Sequence, residues 1–271
     1  MPQRWPAYYS SLPPFRDLFA TGTPILTCHK LGPRPRGVRL KGLYVGADLF
    51  TRQLAELRAA GYVSGSLDDL LAAAPPNQRV VVTFDDGFQN VLAHGLAPLA
   101  QHRFRAIQFL LPDLLGKTNE WDLPSGEVPE PLMDAAAVRD WLAAGHLIGS
   151  HTLTHPRLTQ LPLAEAREEI VSSKKKLEDL FSVAVENFCY PYGDWNPAVR
   201  DLVAAAGYRT ACTTDFGVNG PGAAPLELKR ITARYPSRNL KALLRPLKAL
   251  VKGPSARNKK QPPHRAEVRP E

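Results

Sequence analysis

Short apolar runs rich in β-branched residues alternate along this chain with longer segments in which apolar residues recur at helical spacing. The apolar runs predict strands at residues 24–28, 79–84, 105–110, 146–150, 186–190 and 209–213, with shorter ones near Tyr62 and Arg230. The other segments predict helices at residues 48–60, 66–74, 90–102, 135–144, 163–181 and 197–206. Strand–helix alternation repeated about seven times predicts an α/β fold with a parallel sheet, either open or closed into a barrel.

Two segments depart from this alternation. Residues 112–131 form a long loop, and loops of such length are uncommon unless they are functional. From residue 236 onward, leucines at helical spacing are interleaved with Lys and Arg, and a stretch rich in Pro, Lys and Arg follows. We therefore divide the chain into an N-terminal extension (1–20), one α/β domain (21–235), a basic amphipathic helix (236–252) and a disordered tail (253–271).

The charge of the chain is concentrated at its C-terminal end. Residues 236–271 hold ten Lys and Arg against two acidic residues, which accounts for the whole net charge of +8 and leaves the rest neutral. A neutral domain predicts no nucleic-acid partner, because such binding requires a basic face. The basic helix predicts peripheral contact with an anionic membrane through residues 236–260, with packing on the domain as the alternative.

Neither a transmembrane segment nor a signal peptide is indicated by the pattern of apolar residues. We therefore expect a protein of the cytoplasm or of the cytoplasmic face of the membrane. Cys28, Cys189 and Cys212 are widely spaced within apolar runs, which predicts reduced core residues rather than disulfides. The sequence indicates no obligate protein partner.

The first candidate for chemistry is the end of a strand. The apolar run 79–84 leads directly into Asp85-Asp86-Gly87. Burying two adjacent carboxylates is costly unless something compensates their charge, and a cation does so. Gly87 allows the sharp turn that would bring both carboxylates to one site. Capping of the following helix by the two acids is an equally good interpretation of this segment alone.

A second strand end carries two histidines. His151 and His155 follow a short apolar strand at a four-residue spacing, which would place both imidazoles on one face of a helical turn. A lone pair of histidines is more often structural, but a second acidic strand end in the same chain favours a metal site. One carboxylate with two histidines is a ligand set that leaves positions open for water and substrate.

Three ordered motifs resemble the polysaccharide deacetylase family, the NodB-homology carbohydrate esterases. They are Thr83-Phe84-Asp85-Asp86-Gly87, His151-Thr152-Leu153-Thr154-His155 and Tyr190-Pro191-Tyr192-Gly193, and the resemblance covers roughly residues 24–235. It implies a distorted (β/α)7 barrel, followed here by the amphipathic helix and the basic tail. It also implies a metal-dependent hydrolase that removes N-acetyl groups from an N-acetylhexosamine-containing polysaccharide or glycan intermediate.

The resemblance also implies a role for each residue of the motifs. Asp86, His151 and His155 would hold one divalent metal ion, Zn²⁺ in the first place, with Co²⁺ or Ni²⁺ as alternatives. Asp85 would be the general base, and the backbone N–H of Tyr192 would stabilise the oxyanion.

Two positions depart from the usual family pattern. The late strand around Arg230 ends in no histidine, whereas the first apolar strand ends in His29. This order resembles the exopolysaccharide deacetylases in which the acid-bearing strand comes first, so we assign His29 as the general acid. Cys189 stands where the family usually has the arginine that orients the base. Our hypothesis is that Arg230 reaches Asp85 instead.

Candidates for substrate contact are Tyr190, Asp194, Trp195 and Trp121, because aromatic faces suit pyranose rings; Asp194 and Trp195 are equally well explained as the start of the next helix. An aspartyl-phosphate phosphatase is disfavoured because its two acids are spaced two apart. A glycosidase is disfavoured because its carboxyls must flank the glycosidic bond. The remaining alternative is a catalytically idle carbohydrate-binding or scaffold protein on the same barrel.

Overall fold

A computed structural model describes residues 5–72 and 78–235 of the chain. The helices in these ranges are α1 (Arg16–Phe19), α2 (Ala47–Ala59), α3 (Gln89–Gln101), α4 (Ala135–Ala143), α5 (Leu163–Phe181) and α6 (Pro197–Ala205). The strands are β1 (Ile25–Cys28), β2 (Lys30–Leu31), β3 (Tyr44–Val45), β4 (Val63–Ser64), β5 (Arg79–Phe84), β6 (Ala106–Leu110), β7 (Leu147–Ser150), β8 (Asn187–Cys189), β9 (Thr210–Phe216) and β10 (Leu228–Thr232).

Seven parallel strands close into a barrel, in the order β1, β10, β9, β8, β7, β6 and β5. Closure comes from β1, which places Leu26 beside Ile231 of β10 and Ile25 beside Val81 of β5. The short β4 pairs with the first residues of β5, and β2 pairs with β3 in a separate sheet. The predicted (β/α)7 barrel is confirmed, and of the two alternatives left open by the alternation, the closed sheet is the one that forms.

The helix predicted at residues 66–74 is wrong, although the other predicted helices and strands are found within a few residues of their expected bounds. Only a 3₁₀ turn, Leu67–Leu71, forms there before Ala72 becomes extended. Ser66 and Asp69 form a capping box at its start. The three-residue repeat of a 3₁₀ turn brings its two buried leucines to one side, which explains why the sequence pattern resembled that of a helix.

Successive strand residues alternate between the barrel interior and the helix layer. Phe84 faces outward, with its ring 6.0 Å from Trp141 of α4. A separate buried cluster gathers side chains from six strands and fills the interior: Ile25, Val81, Ile107, Phe109, Cys189, Cys212 and Leu228. Because Asp85 follows Val81 at an even spacing, the same alternation directs it inward. The three cysteines are buried and free, as predicted.

The N-terminal segment packs against the barrel. Tyr9, Phe15 and Phe19 are buried, with ring centroids 5.4 to 5.7 Å apart. Tyr9 also forms a parallel bridge with Ala233, just after β10. The apolar residues of the N-terminal segment recur at neither a two-residue nor a helical period, so the sequence pattern did not indicate this packing.

His146, which precedes β7, is buried in its neutral form. Its ring lies 4.2 Å from that of Trp141, and its Nδ1 accepts a hydrogen bond from the Ala106 N–H at 3.3 Å. Burial, with a smaller contribution from the charge of Arg105, lowers the pKa of His146 to about 4. A protonated imidazole would lose the hydrogen bond from Ala106 and carry a buried charge.

We therefore expect acid to destabilise the fold through His146. The unfolded chain takes up this proton near the ordinary pKa of 6.5, so stability is lost as the pH falls from there towards 4. At pH 5 the loss amounts to about 2 kcal/mol. Urea unfolding near neutral pH and near pH 5 measures it, with His146→Asn as the comparison because Asn keeps an acceptor but does not titrate. The variant should lose less stability over this range; equal losses would contradict the assignment.

Within residues 5–72 and 78–235, no helix has the length and apolar character needed to cross a membrane. The predicted amphipathic helix (236–252), the predicted tail (253–271) and the predicted membrane contact (236–260) lie outside the described residues.

Candidate active site

A cavity of about 160 Å³ opens at the carboxyl ends of the barrel strands. This is the end of a parallel barrel at which catalytic groups are expected. The cavity wall combines residues that follow β1, β5, β7 and β8 with side chains of β9 and β10. The lining residues are His29, Leu40, Leu43, Asp85, Asp86, Trp121, Asp122, His151, His155, Tyr190, Tyr192, Gly193, Thr214 and Arg230.

Asp85 is buried and forms a two-point ion pair with Arg230. Nη1 lies 2.7 Å from Oδ1 and Nη2 lies 2.8 Å from Oδ2. Burial acts to raise the pKa of Asp85, but the charge of Arg230 and its hydrogen bonds outweigh this effect and lower that pKa. The carboxylate is therefore ionised at neutral pH, which is the state a general base requires. The structure thus places Arg230 in the contact with Asp85 that our hypothesis requires.

Arg230 is held in the barrel interior by neighbours on several strands. Its Nε donates to the Thr213 carbonyl at 2.8 Å, and its Nη1 donates to the hydroxyls of Thr27 at 3.0 Å and Thr83 at 3.3 Å. Cys189 Sγ lies 3.2 Å from Nη2. Burial raises the pKa of this thiol to about 11, so the sulfur stays neutral beside the guanidinium. The arginine is therefore fixed in one orientation.

Asp86 enters the same cavity because the backbone turns sharply. The φ angles of Asp86 and Gly87 are 72° and 76°, both in the left-handed region. Adjacent residues of a regular strand would point to opposite sides. With this turn, Asp86 Oδ1 lies 3.3 Å from His151 Nε2 and 3.4 Å from His155 Nε2.

The two histidines lie on a loop, so the predicted helical turn is wrong. Thr152 and His155 have positive φ angles of 71° and 70°, and the Thr152 hydroxyl accepts a hydrogen bond from the His155 N–H at 3.1 Å. Glu169 of α5 also braces this loop, because its carboxylate accepts hydrogen bonds from the N–H groups of Leu153 at 2.8 Å and Thr154 at 3.0 Å. The two imidazoles still converge, with ring centroids 5.0 Å apart.

Asp86, His151 and His155 fit a divalent cation. All three residues are buried, and their ligand atoms lie within 4.8 Å of one another. His151 Nδ1 lies 2.7 Å from the Cys189 carbonyl and donates to it, so in the neutral imidazole that metal binding requires the Nε2 lone pair would face Asp86. One carboxylate and two imidazoles are a donor set that suits Zn²⁺, Co²⁺ or Ni²⁺.

The pKa shifts within this triad reflect how closely its donor atoms approach one another. Burial acts to raise the pKa of Asp86, but hydrogen bonds with both histidines outweigh it and hold that pKa well below its usual value. Burial lowers the pKa of His155. Burial would also lower the pKa of His151, but the neighbouring Cys189 and the hydrogen bond to Asp86 raise it well above its usual value. A bound cation would displace the proton that His151 shares with Asp86.

His29 and Tyr192 line the same cavity as these groups. His29 Nε2 lies 3.7 Å from Asp85 Oδ2, and 21% of the His29 side chain is exposed, so the ring reaches the cavity. Its Nδ1 is buried without a hydrogen-bond partner in the described part of the chain. Tyr192 has a φ of 59°, and its ring packs 4.4 Å from that of His155.

Only two of the four residues predicted to contact substrate line the cavity. Tyr190 and Trp121 line the cavity, whereas Asp194 and Trp195 do not. Asp194 accepts hydrogen bonds from the N–H and hydroxyl of Thr159 at 2.9 and 2.8 Å. Trp195 stacks on Tyr190 with ring centroids 6.0 Å apart. Asp194 is thus bound to Thr159 and Trp195 packs on Tyr190, both outside the cavity wall.

Five lining residues were not among the predicted site residues: Leu40, Leu43, Asp122, Gly193 and Thr214. For Asp122 the sequence holds a signal, since it follows Trp121 in the long loop 112–131. The leucines lie in an irregular segment with no periodic pattern, so nothing local marks them as part of a site.

Comparison with known proteins relates this site to a family. Residues 72–211, about half of the chain, match the family described as polysaccharide deacetylase. The chain is 27% identical over 131 residues to the peptidoglycan-N-acetylglucosamine deacetylase PgdA of Listeria monocytogenes. The aligned segment covers 48% of this chain and 25% of that protein. It is 30% identical over 139 residues to the chitooligosaccharide deacetylase of Rhizobium leguminosarum bv. trifolii. That aligned segment covers 51% of this chain and 57% of the relative. The chain thus spans a quarter to somewhat over half the length of these curated relatives.

Solved structures share the fold. The deacetylase PplD of Streptococcus pyogenes, in complex with acetate, superposes with a TM-score of 0.69 at 22% identity, over 83% of this chain and 97% of that one. IcaB of Ammonifex degensii superposes with a TM-score of 0.67 at 22% identity, over 79% of this chain and 92% of that one. At this level of identity, the likeness concerns the (β/α)7 barrel itself.

Proposed function

Because the chain belongs to the polysaccharide deacetylase family, we propose that it hydrolyses N-acetyl groups of an N-acetylhexosamine-containing polysaccharide or glycan intermediate. One observation carries the proposal. A buried, ionised Asp85, paired with Arg230, lies in the same cavity as the Asp86-His151-His155 triad. A base beside a metal-binding triad is the arrangement that metal-assisted hydrolysis of an amide requires.

The triad would hold one divalent ion, with Zn²⁺ as the first choice and Co²⁺ or Ni²⁺ as alternatives. When bound, such an ion supplies Lewis-acid polarisation of the acyl carbonyl and lowers the pKa of water. The fit rests on the converging donor atoms and on the Cys189 carbonyl, which orients His151. The neutral Cys189 thiol lies beside Arg230 and takes no part in this ligand set.

Asp85 would accept the proton of the attacking water. Its position against Arg230 keeps the carboxylate ionised before the reaction and limits its rotation, so that the proton arrives at a fixed oxygen. As the water oxygen bonds to the acyl carbon, negative charge develops on the carbonyl oxygen. The backbone N–H of Tyr192, a residue that lines the same cavity, is the donor that we assign to this charge.

His29 would complete the reaction as the general acid. The carbon–nitrogen bond breaks when the nitrogen takes a proton, which releases acetate and leaves a free amine on the sugar. His29 Nε2 lies on the Asp85 side of the cavity, 3.7 Å from Oδ2, so a leaving group bound beside the two residues would be within its reach. Base and acid are thus separate groups.

Several features support a sugar substrate. Trp121, Tyr190 and Tyr192 supply aromatic surface to the cavity wall. Two relatives carry names that specify peptidoglycan N-acetylglucosamine and chitooligosaccharide as their substrates. The order of motifs, with His29 directly after the first strand, favours an exopolysaccharide over these two. Asp194 and Trp195 would contact sugar units beyond the cavity, next to Tyr190.

Removal of metal tests the proposal. We expect a chelator to lower acetate release from N-acetylglucosamine oligomers by about 100-fold or more, and Zn²⁺ or Co²⁺ to restore it. In His151→Ala, added metal should not restore activity, whereas His102→Ala, outside the cavity, should behave as the wild type. Acetate is measured directly, and bound metal is measured in the same samples. A protein that binds metal but releases no acetate from any N-acetylated glycan would support the idle carbohydrate-binding alternative.

A further inference from the structure

Asp122 is a carboxylate of the cavity wall to which no catalytic role has been given. It lies on a 3₁₀ turn, Glu120–Ser125, within the long loop between β6 and α4. The other two carboxylates of the cavity have partners, since Asp85 pairs with Arg230 and Asp86 faces the histidines. Among the residues that the structure describes, Asp122 forms no ion pair.

The orientation of the Asp122 carboxylate is fixed from behind. Asn119 Nδ2 donates to Oδ2 at 2.9 Å, and Asn119 is itself fully buried, with its Oδ1 accepting the Glu130 N–H at 2.6 Å. Within residues 5–72 and 78–235, Oδ1 of Asp122 accepts no hydrogen bond. A carboxylate is an acceptor only, so this oxygen requires a donor from solvent or from a ligand.

The turn is also fixed relative to the metal-binding triad. The Trp121 ring stacks on the His155 ring at 4.6 Å and lies 6.5 Å from that of Phe88. The Ser125 hydroxyl closes the turn by donating to the Asp122 carbonyl at 2.7 Å. The free carboxylate oxygen of Asp122 is therefore a hydrogen-bond acceptor in a fixed position in the wall of the cavity that contains the triad.

We propose that Asp122 is a specificity residue whose carboxylate accepts a hydrogen bond from a hydroxyl group of the sugar that carries the acyl group. This inference rests on the proposed function and deepens it. A hydrogen bond from a hydroxyl to a carboxylate is charge-assisted and about twice as strong as one between neutral groups. An acylated compound without ring hydroxyls gains nothing from Asp122.

A hydroxyl suits this position better than a substrate ammonium does. The buried ammonium of Lys30 lies over the Phe88 ring at 4.4 Å and within electrostatic reach of Asp122. Its charge already offsets part of the charge of the carboxylate. Asp122 Oδ1 still lacks a hydrogen-bond donor, and a neutral hydroxyl group of the substrate supplies one.

The test compares Asp122→Ala and Asp122→Asn with Glu120→Gln in the full chain. Glu120 is on the same turn but outside the cavity wall, so it is the matched control. We expect Asp122→Ala to lower kcat/KM for N-acetylglucosamine oligomers by about 10- to 100-fold, with no loss on phenyl acetate, which has no ring hydroxyl. Asp122→Asn should also lower kcat/KM for the oligomers. The Asn119 amide would donate to the side-chain oxygen of the new Asn, which leaves its NH₂ group, a donor, facing the substrate. Bound metal should stay unchanged in all three variants, and the thermal midpoint should stay unchanged in Asp122→Asn and Glu120→Gln, whereas Asp122→Ala should lower it because the buried Asn119 amide loses its acceptor.

Binding provides a second readout that needs no turnover. Calorimetric titration of the oligomer into chelator-treated protein should show affinity lowered by a similar factor in Asp122→Ala and unchanged in Glu120→Gln. Equal losses on the oligomer and on phenyl acetate, or oligomer kinetics and affinity like those of the wild type, would overturn the inference. If the wild type itself released no acetate from any glycan, the proposed function would fail, while the titration would still decide whether Asp122 contacts sugar.

Discussion

Replacing Asp85 with Asn is expected to lower the rate of acetate release by about 10²- to 10⁴-fold, the range of general acid–base catalysis. Asn keeps the size of the side chain and can still accept a hydrogen bond from Arg230, but it cannot take a proton from water. Asp86, His151 and His155 are unchanged, so the metal should stay bound. Steady-state kinetics on N-acetylglucosamine oligomers, together with metal analysis of the same preparation, measures both effects.

His29→Gln is the companion variant that separates the acid from the base. An N-acetyl group leaves as an amine that must be protonated, whereas phenyl acetate leaves as a phenolate that needs no acid. We expect His29→Gln to lose amide hydrolysis and to keep hydrolysis of phenyl acetate, while Asp85→Asn loses both. A nearly full rate in Asp85→Asn would mean that another group is the base. The same response of both variants to both substrates would remove His29 as the acid.

Arg230→Met is expected to destabilise the protein by about 3–5 kcal/mol, a large share of the stability of a domain of this kind. Met fills much of the space, but Asp85 is then buried without its cation. The hydroxyls of Thr27 and Thr83 also lose a donor. Acetate release should fall as well, because burial then raises the pKa of Asp85 and reduces its ionised fraction. Urea unfolding and kinetics on the same preparation measure the two losses.

A double variant shows whether the two residues act as a pair. If the Asp85–Arg230 contact carries the effect, Asp85→Asn combined with Arg230→Met should lose less stability than the sum of the two single variants. Bound metal should stay the same throughout, since neither residue belongs to the triad. Additive losses in stability, together with full activity in Arg230→Met, would show that the arginine does not orient the base.

The strands, most of the helices and the residue types at the strand ends could be predicted from the sequence. Alternation of strands and helices predicted a parallel sheet, because each apolar run has the length of a buried strand and each helix has one apolar face. Asp85, Asp86, His151 and His155 could be identified as a candidate site because polar groups directly after buried strands need compensation. These features are local, and a local pattern is what a sequence displays.

Which distant groups meet is visible only in the folded barrel. Arg230 and Asp85 are 145 positions apart, and their two-point contact depends on how β1 closes the barrel between β5 and β10. The left-handed backbone of Asp86 also depends on the surrounding packing. The same holds for the loop geometry of His155, where the spacing of the histidines had predicted a helical turn. Asp122 and Leu40 join the cavity from irregular segments that have no period. Contacts of this kind depend on register, closure and loop path, which leave no regular trace along the chain, so only the folded barrel shows them.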